Sequence, residues 1–188
     1  MTQTPPVEGF DRHVVQEPCF SAEEMDRIIA AANADLMDGT IAGRVGDNSI
    51  RRSKVHWLDR QTFDWAYQRL WQVVQRLNRQ HFDFDIDRFE GRLQVARYHE
   101  SDEGFYTWHM DNGAKTSGRK ISVSVQLSDP AQYEGGGLEF FYTNKNKPAP
   151  RERGTIVAFP SFVMHRVTPI TRGVRYSMVA WIVGPRWR

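Results

Sequence analysis

The sequence predicts an α+β domain, a β-sandwich or barrel buttressed by N-terminal helices. Three observations predict it. Apolar residues recur at helical spacing over two early segments. From about residue 88 the period changes to two. Gly, Pro, Asp and Asn clusters then cut the remainder into about seven short runs. Helices followed by strands, rather than alternating with them, give this class.

The elements follow in order. Residues 1–12 read as a loose lead-in to a single domain over 1–188. Ser21-Ala22-Glu23-Glu24 has the form of a capping box, in which Ser21 caps the helix and Glu24 reaches back. Met25, Ile28, Ile29 and Leu36 continue at helical spacing, so a helix is expected to end near Asp38-Gly39. Residues 39–54 carry Gly, Asp, Asn and Arg with little periodicity and read as a long loop. A second helix is expected from about Thr62 to about Gln80. Its stripe is Phe63, Ala66, Tyr67, Leu70, Val73, Val74 and Leu77. Strands follow around Leu93–Tyr98, Phe105–Asp111, Lys120–Leu127, Leu138–Tyr142, Gly154–Phe159, Met164–Pro169 and Val174–Val183.

Composition narrows the function. A chain of 188 residues suits one domain with a sizeable core. A formal net charge of +2 gives no reason to expect nucleic acid or an anionic membrane as partner. The single cysteine, Cys19, rules out an internal disulfide and reads as a small buried residue rather than a nucleophile. The first residues lack an apolar run of signal-peptide length, and no stretch approaches a membrane span. The expectation is a cytoplasmic, reducing location.

His109-Met110-Asp111 is the first chemical feature. Residues i and i+2 of a strand project to one face, so an imidazole and a carboxylate point together. His165, in a later strand, supplies a third ligand. Two His and one carboxylate form the facial triad that leaves positions open for a chelating co-substrate and dioxygen. A closed structural zinc site would usually be Cys-rich. Taken alone, His109 could equally be a satisfied core histidine and Asp111 a turn residue before Asn112-Gly113. His13, His56, His81 and His99 have no ligand-like spacing.

Arg175 adds weight to the triad. It follows His165 by ten residues, across Pro169-Ile170-Thr171-Arg172-Gly173. A hairpin turn centred near Ile170 would make the two residues cross-strand neighbours, with Cβ atoms about 5 Å apart. An inward Arg requires a carboxylate, because an unpaired buried charge costs several kcal/mol. A dicarboxylate bound to the metal at one end and to the planar guanidinium at the other would supply it. The competing reading is a solvent-facing Arg175 on an edge strand. Ser122, Ser124 and Gln126 give one strand a polar face, lining either a co-substrate pocket or the solvated exterior. Tyr98 and Tyr106 could hydrogen-bond the co-substrate or simply pack. Arg51, Arg52 and Ser53 could touch substrate or form a solvated basic loop. Trp108 points away from His109 and reads as packing.

These residues resemble the prolyl 4-hydroxylase-like branch of the Fe(II)/2-oxoglutarate dioxygenases, over roughly Val14 to Val183. The family's His-x-Asp, distant His and basic residue about ten further on map onto His109, Asp111, His165 and Arg175. Leu93-Gln94-Val95-Ala96-Arg97-Tyr98 with Gly104 and Tyr106 resembles the strand entering the site. The interval from Tyr98 to Gly104 is slightly longer than in the family. Gly135-Gly136-Gly137-Leu138-Glu139-Phe140 and Arg153–Phe159 resemble two further family strands. Arg52–Leu58 resembles the segment between the helices, which would put Arg52 and Ser53 on a loop near the site mouth. Pro160-Ser161, His165–Pro169 and Thr171-Arg172-Gly173 are similar to small bacterial hydroxylases of the PKHD type. Many collagen-type members carry Lys where this chain has Arg175.

The resemblance implies a double-stranded β-helix (jelly roll) with Fe(II) inside one end. It implies 2-oxoglutarate and dioxygen as co-substrates, with ascorbate as an optional addition. His109, Asp111 and His165 would hold the metal. Arg175, Tyr98, Ser122, Ser124 and Gln126 would bind the co-substrate, with Arg175 also counted in the catalytic set. Related halogenases lack the carboxylate, so Asp111 favours hydroxylation. The substrate would be a prolyl residue in a peptide or protein, or alternatively a free amino acid or other small molecule. A jelly roll with another metal and no oxygenase activity, and a metal-binding sensor without turnover, are the other readings.

Overall fold

The computed structural model describes residues 13–41, 44–45, 48–142 and 145–186. The lead-in expected over 1–12 lies outside the described residues. Helix α1 spans Ala22–Ala34 and begins with the capping box: Glu24 N–H donates to Ser21 Oγ, and the Glu24 carboxylate accepts from Ser21 N–H. It stops sooner than the periodicity implied. Asp35 leaves helical geometry at φ −151°, and Met37–Asp38 pairs with Lys54–Val55 as a strand. Helix α2 spans Arg60–Leu77. It starts two residues before Thr62 because Asp59 is the cap and accepts the Thr62 N–H. One π-helical turn, Asn78–Phe82, closes it.

The region read as a long loop, 39–54, instead holds short strands. Thr40–Ile41 pairs with Arg44–Val45, and Arg51–Arg52 and Lys54–Trp57 each join a larger sheet. Such pieces are too short for a period to register in sequence. All seven anticipated strands are present, with ends shifted by a few residues.

Apart from the Thr40–Ile41 and Arg44–Val45 pair, the strands form two packed antiparallel sheets. The nine-stranded sheet runs Val14–Gln16, Ile156–Pro160, Arg119–Gln126, Ile170–Val183, Gln94–His99, Lys54–Trp57, Met37–Asp38, with Tyr133–Gly135 and Arg88–Phe89 paired onto Ile170–Val183. The five-stranded sheet runs Lys145–Pro148, Leu138–Tyr142, His165–Val167, Phe105–His109, Arg51–Arg52. This is the jelly-roll architecture, with two helices as buttress.

Alternation along the central strands divides the core. Val95, Val123, Val125, Met178, Ala180 and Ile182 face the helices and pack on Ile28, Tyr67 and Leu70. Fully burying such side chains contributes roughly 1.5–3 kcal/mol each, so this layer anchors the sheet. The intervening residues face the second sheet and include Gln94, Tyr98, Ser124, Arg175 and Ser177. A β-strand that buries both faces normally reads as an apolar run. Here one buried face is polar, which marks it as built for a ligand rather than for packing.

The expected hairpin joining His165 to Arg175 does not form. The chain leaves the five-stranded sheet at Val167 and enters the nine-stranded sheet at Ile170. His165 pairs with His109 and Phe140, whereas Arg175 pairs with Tyr98. The crossing is pinned from outside: Thr168 N–H donates to Gly137 O, Ile170 N–H to Gly104 O and Gly136 N–H to Pro169 O. Gly135 sits at φ +70°, and a Cβ there would lie 2.1 Å from Pro169 O, so only glycine allows this corner. The two residues therefore meet across the sandwich, from opposite sheets, rather than along a strand pair.

Candidate metal centre and its two clefts

Phe105–His109 and His165–Val167 are adjacent strands whose register places His109 opposite His165. Their imidazole centroids are 4.1 Å apart. Asp111 follows the first strand and is fixed by its backbone, its N–H donating to Ser161 O at 2.9 Å. Its Oδ1 lies 3.9 Å from His109 Nε2 and its Oδ2 3.6 Å from His165 Nε2. One ligand atom from each of the three residues falls within 4.8 Å of the others, and no other such group occurs among the described residues.

Hydrogen bonding sets the tautomers. His109 Nδ1 lies 2.7 Å from Thr107 O, and His165 Nδ1 lies 2.9 Å from Val163 O. A carbonyl only accepts, so each Nδ1 carries the proton and each Nε2 keeps its lone pair for a cation. Burial, reinforced by the neighbouring His165, pushes the His109 imidazole far below its ordinary value, so it stays neutral. Burial pushes the Asp111 carboxyl up, but His165, His109 and the Ser122 hydrogen bond outweigh it and hold the group below the usual range. Two imidazole Nε2 lone pairs and one carboxylate suit a divalent cation such as Fe(II).

Two clefts meet at these ligands. The inner one is lined by Tyr98, Ser124, Leu138, Phe159, Val167 and Arg175. The outer one is a groove lined by Trp57, Tyr106, Met110, Lys115, Arg119 and Trp181. His109, Asp111 and Tyr106 border both. Their volumes are about 50 and about 820 Å³, so the inner cleft is much the smaller of the two.

Arg175 is 1% exposed, and its NH2 donates to Gln126 Oε1 at 2.8 Å. Its NH1 is buried with no hydrogen-bond partner. The solvent-facing alternative for this arginine is thereby overturned. A buried guanidinium with an unused donor is costly unless a ligand completes it, and a dicarboxylate reaching from the metal would do so. The ring of Tyr98, itself buried, lies beneath the guanidinium with its centroid 5.6 Å from Cζ.

Ser122, Ser124 and Gln126 are all buried, so their polar face is internal rather than a solvated exterior. Ser124 lies on the inner wall, Ser122 bonds Asp111, and Gln126 bonds Arg175. Tyr106 stacks on His109, centroids 3.5 Å apart at 14°, and burial pushes its phenol up to about 12. Trp108 packs on the outer face against Phe141, with Arg166 over its ring.

Of the basic segment read as loop, Arg51 is buried. It donates to Ser53 Oγ and Gln94 Oε1, its Cζ lies 4.9 Å from the Tyr106 ring centroid, and it borders both clefts. Arg52 instead pairs with Glu103 toward solvent. Gln94, Trp57 and Trp181 were not singled out by the sequence. The signal for Trp181 was available, since it lies an even number of positions from Arg175 on one strand.

The fold and its donor set define a class: a double-stranded β-helix with a two-histidine, one-carboxylate metal site. Residues 93–183, the segment that carries the triad and Arg175, match the sequence profile of the 2OG-Fe(II) oxygenase superfamily. The chain is 40% identical over 81 residues to a PKHD-type hydroxylase of Synechococcus sp. (strain CC9311), covering 43% of this chain and 37% of that one. It is 39% identical over 101 residues to another from Synechococcus sp. (strain CC9605), covering 53% and 45%. The matches thus span less than half the length of those curated relatives. Among solved structures, a Pseudomonas putida prolyl-4-hydroxylase superposes with TM-score 0.74 at 20% identity, covering 93% of both chains. A Trichoplax adhaerens prolyl hydroxylase, solved with a hypoxia inducible factor oxygen degradation domain peptide fragment, gives 0.76 at 20%, covering 92% and 84%. These likenesses establish the shared fold.

Proposed function

We propose that the protein is an Fe(II)- and 2-oxoglutarate-dependent dioxygenase that hydroxylates a C–H bond, with a prolyl residue of a peptide or protein as the leading substrate. The observation that carries this reading is the pairing of two sites in one cavity. Three metal-ligand atoms converge at its mouth, and a buried arginine with an unused N–H stands deeper in. A zinc hydrolase or a simple metal store has no use for that second site.

Each residue then has a task. Nε2 of His109, Nε2 of His165 and the Asp111 carboxylate hold the cation on one side. Arg175, steadied by Gln126, takes the distal carboxylate of 2-oxoglutarate. Tyr98 and Ser124 wall the inner cleft, and the apolar lining of Leu138, Phe159 and Val167 excludes water. When bound, iron and 2-oxoglutarate supply the oxidising chemistry, consuming dioxygen and releasing succinate and carbon dioxide. The outer groove would seat the substrate, and its size suits an extended chain better than a free amino acid. The peptide complex of the Trichoplax enzyme supports a peptide or protein. A reducing, cytoplasmic location is part of the proposal, since the site needs ferrous iron.

The test begins without oxygen. Fe(II) with 2-oxoglutarate should give a visible metal-to-ligand charge-transfer band. In air, a screen of proline-containing peptides and free amino acids should then find succinate release matched by a gain of one oxygen in a peptide. Absence of the band would overturn the reading. Succinate release with a free amino acid alone would move the substrate to the small-molecule class.

A further inference from the structure

The buried serine pair behind the metal ligands does more than fill space. Ser122 and Ser161 are both fully buried and lie on elements joined through the Arg119–Gln126 and Ile156–Pro160 strands. Ser122 Oγ is 2.7 Å from Asp111 Oδ2 and 2.9 Å from Ser161 Oγ. The direction of this relay follows from chemistry. The Ser122 hydroxyl donates to the Asp111 carboxylate oxygen, so its proton is committed there. Ser161 must therefore donate to Ser122. Two hydroxyls in series polarise one another and strengthen the last bond. The rest of Asp111 is equally constrained: its N–H donates to Ser161 O, and its carbonyl accepts from Thr116 Oγ1 at 2.8 Å.

We propose that Ser122, backed by Ser161, is a positioning residue that caps one oxygen of Asp111 and so makes it a single-oxygen metal ligand. Oδ2 is engaged by the hydroxyl, which leaves Oδ1 as the oxygen with both lone pairs uncommitted. A carboxylate free to turn could bind through both oxygens and occupy a coordination position that a chelating co-substrate and dioxygen require. Ser122 thus protects the vacancy rather than lining the co-substrate pocket. The inference rests on the oxygenase reading for its purpose, but not for its geometry.

Cobalt(II), a spectroscopic stand-in for iron, tests it directly. Wild type, Ser122→Ala, Ser122→Thr and Ser161→Ala would be titrated with cobalt(II) by calorimetry and visible absorption, without 2-oxoglutarate. Loss of such a supporting hydrogen bond is expected to weaken metal binding by roughly 10–100-fold in Ser122→Ala. The absorption of bound cobalt should also change as Asp111 offers its second oxygen. Ser122→Thr, which keeps the hydroxyl, should restore both, and Ser161→Ala should shift both in the same direction but less. A merely structural role would lower the melting temperature and leave the spectrum of bound cobalt unchanged. Wild-type affinity and spectrum in Ser122→Ala would overturn the proposal. Should that variant not fold, wild-type behaviour in Ser161→Ala would overturn it instead. A missing charge-transfer band in wild type with iron and 2-oxoglutarate would overturn the oxygenase reading while leaving the cobalt comparison decisive for Ser122.

Discussion

The inner and outer clefts share His109, Asp111 and Tyr106 yet are built in different ways. The inner cleft is walled by the central strands of both sheets, where every second residue is committed to it. Two buried nitrogens on its lining, Arg175 NH1 and Trp181 Nε1, have no hydrogen-bond partner. The outer groove is walled by strand ends and the 110–119 connection, and half-exposed Met110 lies in it. A ligand that never changes can be met by a rigid wall. A groove walled by loops and chain ends can vary in shape without disturbing the core.

Substitutions can break or sharpen that contrast. The largest effect should come from the shared border. His109→Ala, Asp111→Ala and His165→Ala should each abolish turnover and iron loading while circular dichroism stays native. Near-normal activity with native iron content in any of them would refute the triad.

Next comes the inner cleft. Arg175→Ala should raise the 2-oxoglutarate requirement by roughly a hundredfold, since a charge-assisted contact contributes up to about 3 kcal/mol. Iron content should not change, because a guanidinium is no ligand. Arg175→Lys should be milder, with the charge kept and the fork lost. Succinate formation against 2-oxoglutarate concentration reads this out, and an unchanged dependence in Arg175→Ala would remove the pairing.

Gln126→Ala should act in the same direction and more weakly, by roughly tenfold, the equivalent of about 1.4 kcal/mol. It steadies one nitrogen of the guanidinium and leaves the charge in place. An effect on the peptide KM alone would place Gln126 in the wrong cleft.

The smallest effect should be in the outer groove. Trp57→Ala removes an aromatic that packs on Trp181 at 6.3 Å, and such pairs contribute about 0.5–1.5 kcal/mol. Because Trp57 lines the outer groove and not the inner cleft, the peptide KM should rise by roughly a few fold with the 2-oxoglutarate KM unmoved. Equal shifts in both constants would show that the two clefts are not independent.

The same contrast governs what the sequence disclosed. His109, Asp111, His165 and Arg175 were legible as a spaced pattern, although Asp111 lies just past its strand, and alternation gave Ser122, Ser124 and Gln126 one polar face without saying whether it was inside. The capping box at Ser21 and the seven main strands were legible because such patterns are local. The relation of His165 to Arg175 was misread as a hairpin because nothing in Val167–Ile170 announces a change of sheet. That crossing depends on Gly104, Gly136 and Gly137, which are distant in sequence. Arg51 looked like part of a solvated basic loop. Its burial depends on Ser53 and Gln94, and Gln94 is 43 positions away.

The change of sheet at Val167–Ile170 has a consequence for chain length in the ligand. His109 and His165 hang from one sheet and Arg175 from the other. Packed sheets stand about 10 Å apart, a spacing set by all the side chains between them rather than by any one loop. The sandwich therefore works as a caliper with a metal on one jaw and a cation on the other. On the oxygenase reading, the length of diacid that spans the two jaws is thus read by the thickness of the sandwich rather than by any one side chain.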